Sequence, residues 1–292
     1  MINRVFREVY SMVYSNKIIL NYPSVKQHIE QVNLHCFDAD KTLQDNINLG
    51  DHLSGIVVNW MLREKGLSLE TCIGTKDKHN LYAIGSILLM GYQNATVWGS
   101  GLPFKPSLLR GLFHTNLLRS LDIRAVRGPY TRKVLLELGH KCPDVYGDPA
   151  VLMPMIYKQT TMEKTQDYIV IPHFSTYVEN STTESNNDVI SMHTTNYKSV
   201  IDRICRSRIV ISSSLHGIIL AESYGVPAIF YQDRPERFNF KYYDWYKSTG
   251  REVSIAHSVE EAKHMEPMMP PNLNSMRGSL LETFPYDLWI KR

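Results

Sequence analysis

The sequence is short of the features that mark secreted, metal-binding or membrane-spanning proteins. Its four cysteines lie far apart and form no Cys-x-x-Cys pair, which argues against a disulfide framework or a structural zinc site and fits a reducing compartment. No stretch approaches the roughly 20 apolar residues that a membrane span needs, and the N-terminus lacks the apolar block of a secretory signal. We therefore expect a cytoplasmic protein without a metal ion.

Common nucleotide-binding and hydrolase motifs are also missing. There is no Walker loop, no Gly-x-Gly-x-x-Gly fingerprint and no Gly-x-Ser-x-Gly elbow. The net charge of +3 is small and is not gathered into one long basic stripe, so we expect no nucleic-acid partner. The cationic excess is local, because residues 200–251 contain eight Lys and Arg against five Asp and Glu. That composition suits a site for a small, multiply charged anion.

The hydrophobic pattern predicts an α/β protein of two domains. Short β-rich runs alternate with helical runs along the 292 residues, as in parallel sheets connected by helices. A polar stretch with little periodicity, Lys158–Asp167, separates the two halves, so we place the domains at residues 1–155 and 156–292. Two Rossmann-like, doubly wound domains would face each other across a cleft at the carboxyl ends of their strands, where ligands bind in such sheets.

The same pattern predicts individual elements. The expected strands are Leu34–Phe37, Tyr82–Ile84, Thr96–Trp98, Ile123–Val126, Tyr168–Ile171, Val189–Met192, Ile209–Ser212 and Ala228–Tyr231. The expected helices follow residues 48–51 and cover Pro129–Leu138, Tyr197–Arg206 and Leu215–Tyr224. Gly139 would end the second of these helices. A basic amphipathic pattern over residues 2–13 predicts a further helix, which would dock on the core or rest on the inner face of a membrane.

The strongest local signal is Ser-Ser-Ser-Leu-His-Gly at residues 212–217. It stands between an apolar strand and an apolar helix, where free backbone N–H groups attract anions and glycine allows a ligand to approach closely. A serine N-cap followed by a buried histidine is the alternative. We expect Ser213, Ser214 and Gly217 to bind an anionic donor, and His216 to act in catalysis.

Two further segments place cations just after predicted strands. Arg127 precedes a helix that begins with Pro129, and a guanidinium there can bind a carboxylate or phosphate through two parallel hydrogen bonds. Residues 234–245 mix basic side chains, Arg234 among them, with aromatic rings. A loop of this composition can close over a bound anion or can simply be solvated.

Three weaker candidates complete the predicted site. Asp51 stands at a helix start, where it serves either as a cap or as a base facing the cleft. Ser100 lies in a tight loop between two glycines, and His173 follows the strand Tyr168–Ile171. We expect Ser100 and His173 on the acceptor side of the cleft.

These segments together resemble the polysaccharide pyruvyl transferase family, which has a two-domain fold similar to GT-B glycosyltransferases. The matching segments are NLGD at 48–51, VWGSG at 97–101, AVRGPYTR at 125–132, YGDPA at 146–150, VIPHF at 170–174, SSSLHGIILAESYGVP at 212–227 and FKYYDWYKSTGR at 240–251. The resemblance implies a bacterial enzyme of exopolysaccharide or capsule biosynthesis. It places His216 at the catalytic centre, with Arg127 and Lys241 on the donor; Arg234 and Arg237 are alternatives to Lys241.

The resemblance also implies the reaction. The enolpyruvyl group of phosphoenolpyruvate would move onto two hydroxyls of a sugar in a surface polysaccharide or in its polyprenyl-diphosphate-linked precursor. The reaction would form a pyruvate ketal and release phosphate, with no cofactor besides this co-substrate. One rival is a GT-B nucleotide-sugar glycosyltransferase, although no acidic pair for a nucleotide ribose is evident. The other is a non-catalytic glycan-binding subunit. Such a subunit would not require Arg127, His216 and Lys241 together on turns that face the cleft.

Overall fold

The structure is a computed structural model that describes residues 32–35, 48–67, 79–90, 94–117, 119–159, 163–179 and 188–289. The helix predicted over residues 2–13 lies outside these described residues. The described chain forms an α/β fold with two parallel sheets, one from each half of the sequence. The α/β prediction is therefore confirmed. The doubly wound topology of both halves, the likeness to GT-B enzymes and the domain limits stay predictions.

The first sheet places four parallel strands side by side in chain order. They are β1 (Val32–His35), β2 (His79–Tyr82), β3 (Ala95–Trp98) and β4 (Leu121–Ala125). All four residues of β3 are buried, as expected for an inner strand of a sheet covered on both faces. The strand predicted at Tyr82–Ile84 lies earlier in the chain, because β2 ends at Tyr82. The backbone of Ile84 pairs with the Ser54 hydroxyl instead: its carbonyl accepts from this hydroxyl, and its N–H donates to it.

The second sheet has the same parallel order, β5 to β8. Its strands are β5 (Gln166–Ile171), β6 (Ser207–Ser212), β7 (Ala228–Tyr231) and β8 (Ile255–Ala256). The strand predicted at Val189–Met192 was wrong, because only a single parallel bridge joins Val189 to Val170. Val170 also pairs with Ile211 of β6, so the bridge to Val189 lies on the opposite edge of β5 from β6.

Helices and tight turns connect these strands. The helices are α1 (Leu49–Arg63), α2 (Leu108–Leu112), α3 (Pro129–Glu137), α4 (Met153–Ile156), α5 (Phe174–Glu179), α6 (Tyr197–Arg206), α7 (Leu215–Ser223), α8 (Phe240–Ser248), α9 (Val259–His264) and α10 (Asn274–Thr283). A π-helical turn covers Phe113–Leu117, and 3-10 turns cover Pro149–Leu152, Glu236–Phe238 and Tyr286–Leu288. Gly139, with φ +85°, follows α3 as predicted.

Residues 234–245, predicted as a loop, are largely ordered into the 3-10 turn Glu236–Phe238 and the start of α8. The aromatic side chains explain the difference, because Tyr242 and Trp245 are almost fully buried and Tyr242 stacks on Phe230 of β7 at 3.9 Å between ring centroids. Burying such rings stabilises a helix that basic composition alone would not favour.

One hydrophobic core joins the two halves. It includes Leu49 and Trp98 from the first half together with Leu215 and Leu220 from the second. The backbone N–H of Leu49 also donates to the carbonyl of Met192 at 2.8 Å. The C-terminal helix α10 closes this core from outside. Its Leu280 carbonyl accepts a hydrogen bond from the Trp98 indole at 3.0 Å. The segments that follow the strands of the first sheet therefore pack against those that follow the strands of the second sheet.

Candidate active site

His216 is held at the first turn of α7, directly after β6. Ser214 caps the helix by accepting a hydrogen bond from the Gly217 N–H at 3.4 Å. The Ser212 hydroxyl donates to the Ile171 carbonyl at 2.9 Å and accepts from the Ser214 N–H at 3.0 Å. The serines of this turn therefore fix the backbone, and His216 projects from a rigid support.

The backbone of α1 packs directly against the imidazole of His216. A Cβ atom added to Gly50 would lie 2.0 Å from His216 Nδ1, so only glycine permits this approach. Asn48, not Asp51, caps α1, accepting from the Gly50 N–H at 3.1 Å. Gly50 thus allows α1 to pack closely against the imidazole of His216.

Asp148 faces the other ring nitrogen of His216. Its side chain is fully buried, and Oδ2 lies 3.7 Å from His216 Nε2. Oδ1 accepts a hydrogen bond from the Ala150 N–H at 3.0 Å, whereas Oδ2 has no hydrogen-bond partner among the described residues. Sequence reasoning missed this residue. Its segment, residues 146–150, was part of the resemblance, but an aspartate before proline is more commonly a helix cap.

A cationic cluster formed by Lys241, Arg234 and His173 lies where β5 and β7 end. Lys241 Nζ is 3.2 Å from His173 Nε2, and Arg234 reaches the same nitrogen at 3.2 Å. The Ser213 hydroxyl donates to Asp233 Oδ2 at 2.6 Å and accepts from the His173 N–H at 2.6 Å. These bonds bring Ser213, His173 and both cations together.

Burial and neighbouring positive charge together lower the pKa values of two members of the cluster. Burial, followed by the neighbouring Arg127 and Arg234, lowers the pKa of Lys241 to about 7. Burial, followed by Lys241, Arg234 and then His216, lowers the pKa of His173 far below its ordinary value. An anion placed here would relieve the repulsion and restore the charge of Lys241, since an opposite charge favours the ionised form.

Asp51 lies close to this cluster. It is buried in the first turn of α1, and its carboxylate raises the pKa of Lys241, although less than Asp233 does. A Cβ added to Gly85 would lie 3.4 Å from Asp51 Oδ1. The carboxylate is therefore buried beside Gly85 and close enough to Lys241 to act on its charge.

Arg127 is fully buried behind the cluster. Its guanidinium donates to the Ser86 hydroxyl and the Leu102 carbonyl, both at 2.7 Å, and lies 3.2 Å from Asp244 Oδ2. Because Asp244 is on α8, three residues after Lys241, this buried ion pair ties the helix that carries Lys241 to the first half of the chain. The direct donor contact expected from the sequence stays a prediction.

Ser100 is also fully buried. Its hydroxyl donates to the Gly85 carbonyl at 2.8 Å, and its carbonyl accepts from the Arg127 N–H at 3.2 Å. A Cβ at the next residue, Gly101, would lie 2.4 Å from the Arg127 guanidinium carbon. In this structure the Gly-Ser-Gly loop packs against Arg127, and its expected contact with the acceptor stays a prediction.

The described residues contain neither a metal-binding cluster nor a helix suited to span a membrane. No cluster of His, Cys, Asp and Glu in that part of the chain is arranged to hold a metal ion. None of the helices there combines the length and the apolar character required to cross a bilayer.

These features define an α/β protein with a cationic, partly buried site between two parallel sheets. The model of the family described as Polysaccharide pyruvyl transferase matches residues 48–232, which is more than half of the chain, and this protein belongs to that family. It is 25% identical over 242 residues to the uncharacterized protein L143 of Acanthamoeba polyphaga mimivirus, covering 78% of each chain. It is 29% identical over 139 residues to the succinoglycan biosynthesis protein ExoV of Rhizobium meliloti (strain 1021), covering 44% of this chain and 41% of ExoV.

Proposed function

We propose that this protein transfers the enolpyruvyl group of phosphoenolpyruvate to two hydroxyls of a sugar in a surface polysaccharide or its lipid-linked precursor. The reaction would take place in the cytoplasm or at the inner face of the plasma membrane. Membership of the family and the similarity to ExoV support a role in pyruvyl transfer. The observation that carries the donor assignment is the cationic cluster of Lys241, Arg234 and His173 beside His216.

The donor would occupy the cationic cluster. Phosphoenolpyruvate carries a phosphate and a carboxylate, and Lys241 and Arg234 offer charged donors for them from neighbouring positions. Ser213 would add a hydroxyl, while Ser214 and Gly217 shape the start of α7, whose N–H groups favour an anion. Arg127 would act through its positive field and by fixing α8 through Asp244.

The first step of the reaction requires a proton on the methylene carbon of phosphoenolpyruvate and the attack of a sugar hydroxyl on the adjacent carbon. His216 would protonate the methylene carbon of the enol phosphate while a sugar hydroxyl forms a bond to the adjacent carbon. Asp51 would accept the proton of that hydroxyl. The second hydroxyl would displace phosphate and lose its proton to the departing group, so the product gains pyruvic acid less one water. His173, which contacts both donor cations, would lie where donor and acceptor meet. Ser100 remains a proposed acceptor-side residue, and a cleft between the two halves would hold the two substrates together.

Asp148 would position His216. Its buried carboxylate oxygen, 3.7 Å from Nε2, would fix the orientation of the imidazole ring together with the close approach of α1 to Nδ1. We expect Asp148→Asn to lower kcat about 10²-fold or more, by analogy with loss of an orienting carboxylate. The KM for phosphoenolpyruvate should change little, because Asp148 would act on the histidine and not on the donor. A variant that loses activity only in proportion to its folded fraction would assign Asp148 to the fold alone.

The function is tested by assaying phosphate release from phosphoenolpyruvate against a panel of galactosides, glucosides and N-acetylhexosaminides. Calorimetry with phosphoenolpyruvate and with nucleotide sugars separates this proposal from a glycosyltransferase. Binding of nucleotide sugars but not of phosphoenolpyruvate would contradict the proposal, and binding of glycans without any donor would indicate a non-catalytic subunit.

A further inference from the structure

A cavity lies beside the first turns of α8. Its volume is about 800 Å³, within the range of sites that take small molecules or short oligosaccharides. One wall is formed by the segment that follows the Gly-Ser-Gly loop, with Phe104, Lys105 and Arg110. The other wall is formed by Arg237 and the residues at the start of α8.

Helix α8 separates this cavity from the candidate active site. Phe240 and Tyr243, three residues apart and therefore on one face of the helix, line the cavity. Lys241 and Asp244, each one residue further along, contact His173 and Arg127 on the neighbouring face. Phe238 borders both the cavity and the narrow space beside Lys241. A ligand in the cavity would thus lie next to the donor site.

The side chains of the cavity combine aromatic rings with an excess of positive charge. Three cations, Lys105, Arg110 and Arg237, line it against the single carboxylate of Glu236. Arg110 packs over the Phe104 ring at 4.9 Å, and its Nε is buried without a hydrogen-bond partner among the described residues. Flat rings pack on the faces of sugars, and guanidinium groups bind phosphate and carboxylate.

We propose that this cavity binds an anionic glycan, with the rings of Phe104, Phe240 and Tyr243 against the sugar and the cations on a phosphate or carboxylate. The role of this glycan as the pyruvyl acceptor rests on the proposed function, whereas its binding does not. A diphosphate on a glycosyl carrier and the carboxylate of a uronic acid present the same chemistry to the cavity.

Binding should be measured by calorimetry without donor, using three probes. These are a glucuronic-acid-containing tetrasaccharide, a hexose 1-diphosphate and a neutral tetrasaccharide of the same length. The test variant is Lys105→Ala combined with Arg110→Gln. The matched control is Lys133→Ala combined with Lys141→Gln, which removes two exposed cations that do not line the cavity.

We expect at least one acidic probe to bind, and the neutral probe to bind more weakly. The test variant should weaken the acidic probe roughly 10- to 100-fold, the effect of losing charge-assisted hydrogen bonds, and the control should leave it unchanged. Whichever acidic probe binds more tightly identifies the source of the anion. Equal binding of the neutral probe, equal loss in the control, or no binding of either acidic probe would overturn the proposal.

Phosphoenolpyruvate affinity, measured on the same proteins, separates this inference from the proposed function. The test variant should bind phosphoenolpyruvate as the unmodified protein does, because neither substituted residue belongs to the cationic cluster. If acidic glycans bind and phosphoenolpyruvate does not, the cavity assignment stands and the proposed reaction fails. If phosphoenolpyruvate binds and acidic glycans do not, the cavity assignment alone fails.

Discussion

The contact between Gly50 and His216 gives the sharpest prediction. In Gly50→Ala, the new Cβ would lie 2.0 Å from His216 Nδ1, well inside the separation that nonbonded atoms tolerate. The imidazole must therefore move by about 1 Å, and a shift of that size at a reacting group can cost 10²-fold in rate. We expect kcat to fall about 10²-fold.

The same substitution has an opposing effect on helix stability. Replacing glycine by alanine inside a helix stabilises it by up to about 1 kcal/mol. Gly55→Ala in the same helix provides the control, because nothing lies within 4 Å of its added Cβ. That variant should raise the thermal midpoint and keep full activity.

The assay is phosphate release from phosphoenolpyruvate with the acceptor found in the panel, alongside thermal unfolding of both variants. A Gly50→Ala protein that is folded and about 10²-fold slower would support the assigned role of His216. If it turned over as fast as the Gly55→Ala protein, the imidazole would not be a reacting group, and the proposed mechanism would be refuted.

The other predictions concern charge. Because the pKa of Lys241 is lowered to about 7, its positive charge is lost as the pH rises through 7, and the affinity for phosphoenolpyruvate should fall over that range. Lys241→Arg should abolish this fall, since arginine keeps its charge. The same pH dependence of affinity in both proteins, measured by calorimetry, would count against Lys241 as the donor cation. Asp244→Asn leaves the buried guanidinium of Arg127 without its carboxylate partner and should lower the free energy of unfolding in urea by about 3–5 kcal/mol. The control is Glu252→Gln, which removes the carboxylate of the exposed ion pair with Lys247. This control should leave the free energy of unfolding nearly unchanged.

Local patterns predicted much of the fold. The runs Ala228–Tyr231 and Tyr197–Arg206 match a strand and a helix of the structure, since apolar alternation and helical spacing are local properties. The strand predicted at Val189–Met192 failed for a different reason. Ile190 and Met192 are buried and Val189 is partly buried, but the segment lies beside β5 with a single bridge. Burial without a paired neighbour does not make a strand.

The candidate site depended more on contacts between distant segments. The turn at residues 212–217 could be predicted because strand, serines, histidine and helix are consecutive. Asp148 and Asp244 could not, since each acquires its partner only when separate segments meet: Asp148 at His216 and Asp244 at Arg127. Likewise, a sequence shows that Gly50 is small but not that an imidazole lies against it.

The most direct test of the central claim follows the pyruvyl group itself. The protein and its His216→Ala variant are incubated with phosphoenolpyruvate labelled in the pyruvyl carbons and with the acceptor panel, and phosphate and product mass are measured together. We expect label in one acceptor, a mass gain of pyruvic acid less one water, an equal amount of phosphate, and a loss of about 10²–10⁴-fold in the variant. Transfer of label that does not depend on His216, or phosphate release without a ketal product, would contradict the account.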